Sequence, residues 1–429
     1  MIKLVALLIL IPGIISADLL EKVDALAKQV EPKVIRWRHD IHEHPELSNQ
    51  EFKTAAKVAD HLRKLGYEVQ TNIAVTGVVG VLKGGRPGPV VALRADMDGL
   101  PVTERTGLPY ASKVRTEYGG KEVGVMHACG HDAHVAIAMG AAEVLANMRD
   151  ELPGTIKMIF QPAEEGAWPA QIWGAQQMIQ EGVLENPQVD AIFGLHVRPG
   201  KSGSLQVKPG PIMASSDFLR ITVTGKQTHA AIPWGGIDPI TISAQIILGL
   251  QTVASRQVDI LGSPSIVSIG TIQAGERNNI IPDEVVMTGT IRTFDHDVRA
   301  AYHEKVTRTA EKIAESAGAT AEVYIGADTG YSPTINHPEL TKAMRPTLER
   351  VAGNENLFES TMTTGAEDFS FFQKEIPGMF FFLGVSPEGE DPKTVAANHS
   401  PLFLVDDAAM ITGVRAMSQL AVDYMLQHQ

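Results

Sequence analysis

The chain has 429 residues, of which 44% are apolar and 20% charged, and its net charge is −13. This length allows two or three domains, and the composition argues against a disordered chain or a coiled coil. The acidic balance argues against a nucleic-acid partner, which requires a basic surface, and the single cysteine, Cys129, excludes an internal disulfide.

Residues 1–17 are typical of a secretory signal peptide. Lys3 precedes an apolar run, residues 4–11, which is short for a membrane span, and Ala17 supplies a small residue at the cleavage point. We expect cleavage after Ala17, a periplasmic or secreted mature protein, and no membrane contact after cleavage. The alternative is a short membrane anchor that is never cleaved, and the N-terminal residue of the mature protein distinguishes the two.

Two amphipathic helices are predicted after this segment. Apolar residues recur every three or four positions over residues 19–41, with an interruption at Pro32. Ser48 and Glu51, three residues apart, have the spacing of a capping box and predict the start of the second helix. This helix is predicted to end at Gly66. Both helices are expected to cover a sheet.

Four compact apolar runs separated by helical stretches predict that sheet. They are residues 90–93, 156–160, 191–195 and 379–383, and one of the helices between them is predicted over residues 133–148. The runs lack the alternation of a half-solvated strand, so they indicate a sheet that is at least partly parallel and covered on both faces. The predicted fold class is α/β.

The middle of the chain follows a different pattern. Alternating strands at residues 218–223 and 284–292 surround helical stretches at 239–258 and 298–317, which is typical of a small α+β domain. The last apolar run has no sheet of its own to join, so an inserted domain explains the order better than two tandem domains. We predict a signal peptide at 1–17, a catalytic domain at 18–214 and 325–429, and an inserted lid domain at 215–324.

Polar residues follow the buried runs, where ligands collect beyond the carboxyl ends of the strands. The segments are 94–101 with Asp96 and Asp98, 161–166 with Glu164 and Glu165, His196, 398–400 with His399, and 127–134 with Cys129 and His131. Thiolate, imidazole and carboxylate are the groups that bind zinc and neighbouring transition metals. Gly130 relaxes the backbone so that Cys129 and His131 can point at one centre. Of the paired glutamates, one carboxylate suits a metal and the other a general base.

These segments resemble the M20 family of metallopeptidases and amidohydrolases, and specifically its aminoacylase-like branch. That branch includes N-acyl-amino-acid amidohydrolases, hippurate hydrolases, auxin-conjugate hydrolases and certain carboxypeptidases. The matching stretches, in family order, are 38–48, 94–101, 127–134, 161–166, 194–196, 228–230, 279–282, 365–369 and 398–400.

The resemblance implies a site for two divalent ions, Zn or Mn with Co or Ni as alternatives. Its ligands would be Cys129, His131, Glu165, His196 and His399, with Glu164 as the general base. Other branches carry a His-x-Asp motif where this chain has Asp96-Met97-Asp98, so Asp98 is expected to orient a ligand. His229 of the inserted domain would stabilise an oxyanion, from the same subunit or across a dimer. Asn279 and Arg292 match positions that contact the substrate carboxylate.

Several of these residues have plainer interpretations. Cys129 could be a small buried hydrophobe, Glu164 and Glu165 a solvated acidic pair, and Arg292 the partner of an acid on its own sheet. His127 and His134 are expected to cap, support a ligand or pack rather than bind metal. A solvated or hydrogen-bonding role is expected for His39, His42 and His44. Asp406 and Asp407 are expected to complement a helix dipole.

One connection is longer than in relatives that run directly from Glu-Glu-Gly to Gly-Gly-Ala. It carries Trp168 and Trp173, the latter in place of the first glycine. These rings either form a hydrophobic wall for an acyl group or a side chain, or only pack the loop.

The expected activity is hydrolysis of the amide bond of N-acyl amino acids, of the aminoacylase or hippurate-hydrolase type. The substrate would be a small N-acyl amino acid or a short peptide, and the protein could form a homodimer or homo-oligomer through the lid domain. The enzymatic alternative is a carboxypeptidase or dipeptidase. The alternative from another class is a metal-free binding protein on the same scaffold.

Overall fold

The computed structural model describes residues 12–166, 174–326 and 330–429. Its contacts divide the chain into two compact units. The first contains the described residues up to Pro209, Asn336–Ser360 and Phe372–Gln429, and the second contains Gly210–Ile335 and Thr361–Phe371. The predicted lid domain, 215–324, falls within the second unit.

The strands lie as follows in chain order: β1 (Glu68–Ile73), β2 (Gly77–Lys83), β3 (Arg86–Asp96), β4 (Arg115–Tyr118), β5 (Lys121–Gly124), β6 (Pro153–Gln161), β7 (Ala191–Lys201), β8 (Leu205–Val207), β9 (Gly210–Met213), β10 (Asp217–Thr224), β11 (Thr228–His229), β12 (Ile266–Ala274), β13 (Ile280–Ile281), β14 (Glu284–Arg292), β15 (Thr320–Ile325), β16 (Thr334–Asn336), β17 (Leu357–Glu359) and β18 (Gly378–Ser386).

The helices are α1 (Pro12–Glu43), α2 (Phe52–Lys64), α3 (His131–Ala146), α4 (Gly174–Gln180), α5 (Pro239–Arg256), α6 (His296–Ser316), α7 (Pro338–Ala352), α8 (Phe369–Glu375) and α9 (Met410–Gln427). Among the described helices, none has both the length and the apolar character that a membrane span requires.

An eight-stranded mixed sheet forms the first unit, in the order β1-β2-β6-β3-β7-β18-β8-β17. Its four central strands, β6, β3, β7 and β18, run parallel to one another and contain the four predicted apolar runs. Every residue of β18 is buried, and since successive side chains of a strand point to opposite faces, both faces of the sheet are covered there. The predicted covered α/β sheet is confirmed.

Helix α3 lies within the core of this unit, packed against α1, α9 and strand β3. A Cβ atom at Gly140 would lie 2.7 Å from Val34 and 2.9 Å from Val414, so glycine lets α1 and α9 approach α3 closely. Packing on two sides therefore fixes the middle of α3, the helix whose first turn carries His131.

Two local predictions about the first helices are wrong. Helix α1 continues through Pro32 instead of being interrupted there. The capping box is also absent, because α2 begins after Glu51 with no side-chain cap bond from that residue. The amides of Lys53 and Thr54 donate to the carboxylate of Glu46 instead, and Ser48 bonds elsewhere in the unit.

Two predicted segments lie partly or wholly outside the described residues. These are the signal peptide, of which residues 1–11 are not described, and the connection with Trp168 and Trp173. The predicted cleavage point after Ala17 falls within α1. Export and the role of the two tryptophans therefore stay predictions.

The second unit contains a four-stranded antiparallel sheet in the order β12-β14-β10-β15. Side chains of β10 alternate between buried and more exposed positions, and α5 and α6 cover the buried face. The predicted α+β composition is confirmed. Strand β12 is an edge strand with Ile266 and Ile272 exposed, and exposed edges can pair with another chain. An oligomer through this domain stays a prediction, which sedimentation velocity can check.

Candidate metal centre

The ligands predicted in the first unit lie together. With Glu164 they form three overlapping groups, and within each group the ligand atoms are within 4.8 Å of one another. The groups are Cys129, His131 and His196; Cys129, Glu165 and His399; and His131, Glu164 and Glu165. Segments far apart in the sequence thus converge on one small volume.

Gly130 allows Cys129 and His131 to share this centre. Its φ is +91°, a conformation that side chains disfavour, and it immediately precedes α3. A Cβ atom at this position would lie 2.3 Å from Cγ2 of Val197 in β7. Glycine is therefore required both by the backbone conformation and by the close approach of β7, the strand that carries His196.

Asn398, in a loop near the C-terminus, forms hydrogen bonds to the segment around Cys129 and to β7. Its side-chain amide donates to the carbonyl oxygens of Cys129 at 2.9 Å and Val197 at 3.0 Å. The next amide, that of His399, donates to the carbonyl of Ala128 at 2.8 Å. The sequence analysis assigned Asn398 no role, although it precedes a predicted ligand.

The buried carboxylate of Asp98 accepts four hydrogen bonds from groups around the predicted ligands. Its Oδ1 accepts from Nδ1 of His131 at 3.1 Å and from the amide of Glu164 at 3.2 Å. Its Oδ2 accepts from the amide of Glu165 at 3.0 Å and from Oγ of Ser48 at 2.6 Å. Burial acts to raise the pKa of Asp98, but the bonds from His131 and Ser48 outweigh it and lower that pKa. This is the orienting geometry expected for Asp98.

His131 is left with one free ring nitrogen. Nε2 is buried and has no hydrogen-bond partner among the residues that the structure describes. This is uncommon for a buried polar atom and typical of a metal ligand whose other nitrogen is held by a carboxylate. Burial acts to lower the pKa of His131, but the carboxylates of Asp96 and Asp98 outweigh it and raise that pKa to about 10. The ring therefore sits in a site that favours positive charge.

Both ring nitrogens of His134 form hydrogen bonds, so this residue supports the centre instead of offering a nitrogen to a metal. Its Nδ1 donates to Oδ1 of Asp96 at 2.5 Å, and its Nε2 accepts from the amide of Val197 at 2.9 Å. Asp96 also accepts from Arg94 at 2.6 Å, and Arg94 donates to Gln161 at 2.8 Å. The supporting role expected for His134 matches these bonds. The sequence indicates Asp96 only as one of several acids that follow a buried run, although Arg94 and Asp96 together, as two charged residues at the end of a buried strand, are a signal.

The charges of the centre suit divalent cations. Burial raises the pKa of the Cys129 thiol well above its usual range, and the carboxylates of Glu165 and Glu164 add to this effect. Burial also holds the pKa of His196 well below its usual range, so this ring is neutral. A bound dication would replace the thiol proton and offset the clustered carboxylates. Together with the free Nε2 of His131, this sulfur, nitrogen and oxygen donor set fits zinc or a neighbouring metal.

The surroundings of Glu164, Cys129 and His127 can be compared with the plainer interpretations of these residues. Glu164 is only 4% exposed, so a solvated acidic pair is excluded. Cys129 is buried, as both interpretations require, but its Sγ lies 3.3 Å from Nε2 of His196, a polar neighbour that an apolar role does not explain. Both ring nitrogens of His127 are buried without a partner, and burial lowers its pKa to about 4. His127 is therefore a neutral packing residue.

Asp132, in the first turn of α3, is part of a buried network of charged side chains. Oδ2 of Asp132 accepts from Arg38 at 3.2 Å and from Nδ1 of His42 at 3.0 Å. Nε2 of His42 donates to Glu104 at 3.1 Å. Asp406 and Asp407 lie at a helix N-terminus as predicted, where Asp406 accepts from the amide of Ala408. Asp407 also accepts from Arg38 at 2.8 Å. His42 is 3% exposed and forms two hydrogen bonds, so of the two roles expected for it the structure shows hydrogen bonding.

This network makes stability depend on pH. Burial acts to lower the pKa of His42, but Asp132 and Glu104 outweigh it and raise that pKa from 6.5 to about 9. Protonated His42 therefore stabilises the fold fully below pH 6.5, and this contribution of about 3 kcal/mol is lost as the pH rises to 9. In denaturant unfolding of the metal-free protein, His42→Gln should lose less stability than the wild type between these pH values. Equal pH dependence of the two proteins would contradict the ion pair.

In the second unit, the structure brings two predicted residues together. His229 in β11 pairs with Ile280 in β13, and the amide of Ala230 donates to the carbonyl of Asn279 at 3.0 Å. Nδ1 of His229 accepts from the amide of Ala231 at 3.0 Å, so the neutral ring carries its proton on Nε2. Oδ1 of Asn279 is buried without a partner.

Arg292 ends strand β14 of the same unit. The nearby carboxylate of Asp217 is bound by Arg299 and, at 3.1 Å, by His303. Among the residues that the structure describes, Arg292 forms no ion pair, and burial lowers the pKa of its guanidinium. Asp217 lies in β10, which pairs with β14, and its charge acts to raise the pKa of Arg292 against burial. The pairing of Arg292 with an acid on its own sheet and its substrate role therefore both stay predictions.

Comparisons with known proteins identify the family. Peptidase family M20/M25/M40 matches residues 92–423. A thermostable carboxypeptidase of Saccharolobus solfataricus is 42% identical over 95% of this chain and 99% of its own length. An N-acetylcysteine deacetylase of Bacillus subtilis is 40% identical over 92% of this chain and 97% of its own.

A solved structure supports the same assignment. It is a dinuclear metal-binding peptidase of the M20 family from Bacillus subtilis, 37% identical, with a TM-score of 0.76 over 93% of this chain and 99% of that chain. Its two-metal description agrees with the donor set described above. Because the family match covers most of the chain and these relatives align over almost all of it, the chain belongs to peptidase family M20/M25/M40 and is a metal-dependent hydrolase.

Proposed function

We propose that this protein hydrolyses the amide bond of N-acyl amino acids at the centre formed by Cys129, His131, Glu165, His196 and His399. The observation that carries the proposal is the pair of adjacent glutamates. Glu165 lies among the ligand atoms, and an oxygen of the buried Glu164 lies 4.0 Å from the free Nε2 of His131. This arrangement supports a division in which Glu165 binds a metal and Glu164 moves a proton.

The residues divide the work of amide hydrolysis. When bound, two divalent ions would supply Lewis-acid polarisation of the substrate carbonyl and lower the pKa of water toward neutrality. Glu164 takes a proton from the attacking water and passes it to the leaving amine as the C–N bond breaks. The products are a carboxylic acid and a free amino acid. Asp98 holds the main chain of Glu164 and Glu165 in place through two hydrogen bonds.

Three further residues are proposed to contact the substrate. We assign His229 the role of oxyanion donor, which its Nε2 proton supports. A donor of this kind lowers a barrier by roughly 3 kcal/mol. Asn279 and Arg292 would bind the free carboxylate of the amino acid, because a planar guanidinium can donate two parallel hydrogen bonds to a carboxylate.

The relatives favour two substrate classes within this one reaction type. Similarity to a deacetylase of N-acetylcysteine supports an N-acyl amino acid. Similarity to a carboxypeptidase supports the alternative, a short peptide with a free carboxyl terminus. Both substrates present an amide bond near a carboxylate, so the mechanism is shared and the pocket distinguishes them.

A paired substrate comparison tests this proposal. The protein, supplemented with Zn or Mn, is assayed on N-acetyl and N-benzoyl amino acids and on dipeptides with the same C-terminal residue. We expect kcat/KM to be about tenfold or more higher for the N-acyl amino acids, which corresponds to roughly 1.4 kcal/mol of differential transition-state binding. N-acyl amino acids with an amidated carboxyl group serve as controls and should react more slowly.

Other outcomes of this comparison point to the rivals. Faster turnover of the dipeptides would replace the proposal with a carboxypeptidase or dipeptidase. If elemental analysis finds no transition metal and added Zn or Mn restores no activity, the protein is a metal-free binding protein on the same scaffold.

A further inference from the structure

We propose that Glu51 is a positioning residue for Glu164, acting through the main-chain turn at residues 162–165. This inference rests on the proposed role of Glu164 as the general base. The residue lies before α2, far in sequence from the turn that it contacts.

The carboxylate of Glu51 joins two separate segments. The side chain is fully buried. Its Oε1 accepts from the amide of Ala163 at 3.0 Å, and its Oε2 accepts from Oγ1 of Thr76 at 2.5 Å. Thr76 is itself buried, one residue before β2. Thr76 therefore fixes the carboxylate that receives the Ala163 amide.

The turn has a backbone conformation that needs such support. Ala163 has a φ of +52°, in the left-handed region that residues other than glycine rarely adopt. Three successive amides of the turn donate to buried carboxylates: Ala163 to Glu51, and Glu164 and Glu165 to Asp98. Successive amides that bind anions in this way form a defined main-chain geometry. The direction in which the Glu164 side chain leaves the main chain is therefore set by two carboxylates.

A role in the helix alone does not explain Glu51. It stands at the first position before α2 but makes no side-chain bond to the helix, whereas Glu46 binds the amides of Lys53 and Thr54. A buried acid is also costly. Burial and the nearby charge of Asp98 raise the pKa of Glu51 to about 7. The carboxylate is thus kept at a position where an apolar side chain would be easier to bury.

Three variants separate a positioning role from a general loss of stability. Glu51→Ala should lower kcat by about 100-fold, the effect of a small displacement of a catalytic group, with KM and metal content near the wild type. Glu51→Gln should stay within a few-fold of wild-type kcat, because its amide oxygen accepts from Ala163 and its NH₂ donates to Thr76. Glu46→Ala removes the bonds to the start of α2 and should lower the melting temperature without lowering kcat.

Hydrogen exchange gives a readout independent of activity. In the protein without added metal, mass spectrometry should show faster amide exchange in a peptide spanning residues 160–166 for Glu51→Ala, and wild-type exchange for Glu51→Gln and Glu46→Ala. If Glu51→Ala does not fold, Thr76→Val removes one support of the carboxylate and should produce the same two changes to a smaller extent.

The outcomes that would overturn the inference are specific. Wild-type kcat and exchange in Glu51→Ala, or in Thr76→Val where the alanine variant does not fold, would do so. So would an equal loss of kcat in Glu51→Gln and Glu51→Ala. These results are distinguishable from a failure of the proposed base: an active Glu164→Gln would refute the base itself, whereas an inactive Glu164→Gln beside a fully active Glu51→Ala would refute only the positioning role.

Discussion

Glu164→Gln should lower kcat by about 10²–10⁴-fold, the range typical of a lost general acid–base group, while metal content and fold stay unchanged. Glutamine has nearly the same shape but cannot take a proton from water. The side chain is buried, and its main-chain amide remains bonded to Asp98. Steady-state kinetics on metal-loaded protein, elemental analysis and circular dichroism measure the three quantities.

The neighbouring residue provides a matched control. Glu165→Gln changes the same chemical group one position along the same turn, but Glu165 lies among the ligand atoms with Cys129 and His399. We expect this variant to lose metal as well as activity. Near-normal turnover of metal-loaded Glu164→Gln would refute the assignment of the base, and equal metal loss in the two variants would show that both carboxylates are ligands.

Cys129→Ser should lower metal occupancy before it lowers stability. A neutral hydroxyl is a much poorer ligand for zinc-like metals than a thiolate. The affinity should fall by at least about 10–100-fold, which is the cost of losing even an outer-shell partner of a metal ligand. Serine is close in size to cysteine, so the free energy of unfolding of the metal-free protein should change by only about 1 kcal/mol.

Elemental analysis after dialysis, and thermal unfolding with a chelator, measure the two effects of Cys129→Ser. His127→Asn is the control, because His127 lies on the same segment, is buried and has no hydrogen-bond partner on either ring nitrogen. It should retain metal. Wild-type metal content in Cys129→Ser would remove the thiolate from the centre.

The fold could be predicted where the signal is a pattern along the chain. Continuous apolar runs identified the strands that became β3, β6, β7 and β18, because strands buried on both faces need no polar positions. The change to alternating strands identified the antiparallel sheet of the inserted domain for the same kind of reason. Both patterns depend on local periodicity, which a single sequence displays.

The capping box shows why other predictions failed. Ser48 and Glu51 have the required spacing, but they bond to Asp98, Thr76 and Ala163, which lie 50, 25 and 112 residues away along the chain. No local pattern encodes partners at such distances. For the same reason, the bond between Asp407 and Arg38, 369 residues apart, has no signal in the sequence.

Within the candidate centre, residue types were easier to predict than their bonds. His131 and His134 lie in one turn of α3, and the sequence does not show which ring nitrogen stays free. That depends on Asp98 and Asp96, which reach the two rings from the end of a neighbouring strand. The sequence therefore shows Asp96 as an acid without a role, and the role of Asp98 is expected only from the resemblance to relatives.

The bonds of Asn398 have a consequence for synthesis of the chain. They join a loop near the C-terminus to Cys129, 269 residues earlier, and to Val197 within β7, 201 residues earlier. On the ribosome, domains fold as their residues emerge, and contacts between distant residues form last. The hydrolytic centre therefore cannot be complete until nearly the whole polypeptide has been translated. A chain that ends before Asn398 lacks both these hydrogen bonds and His399.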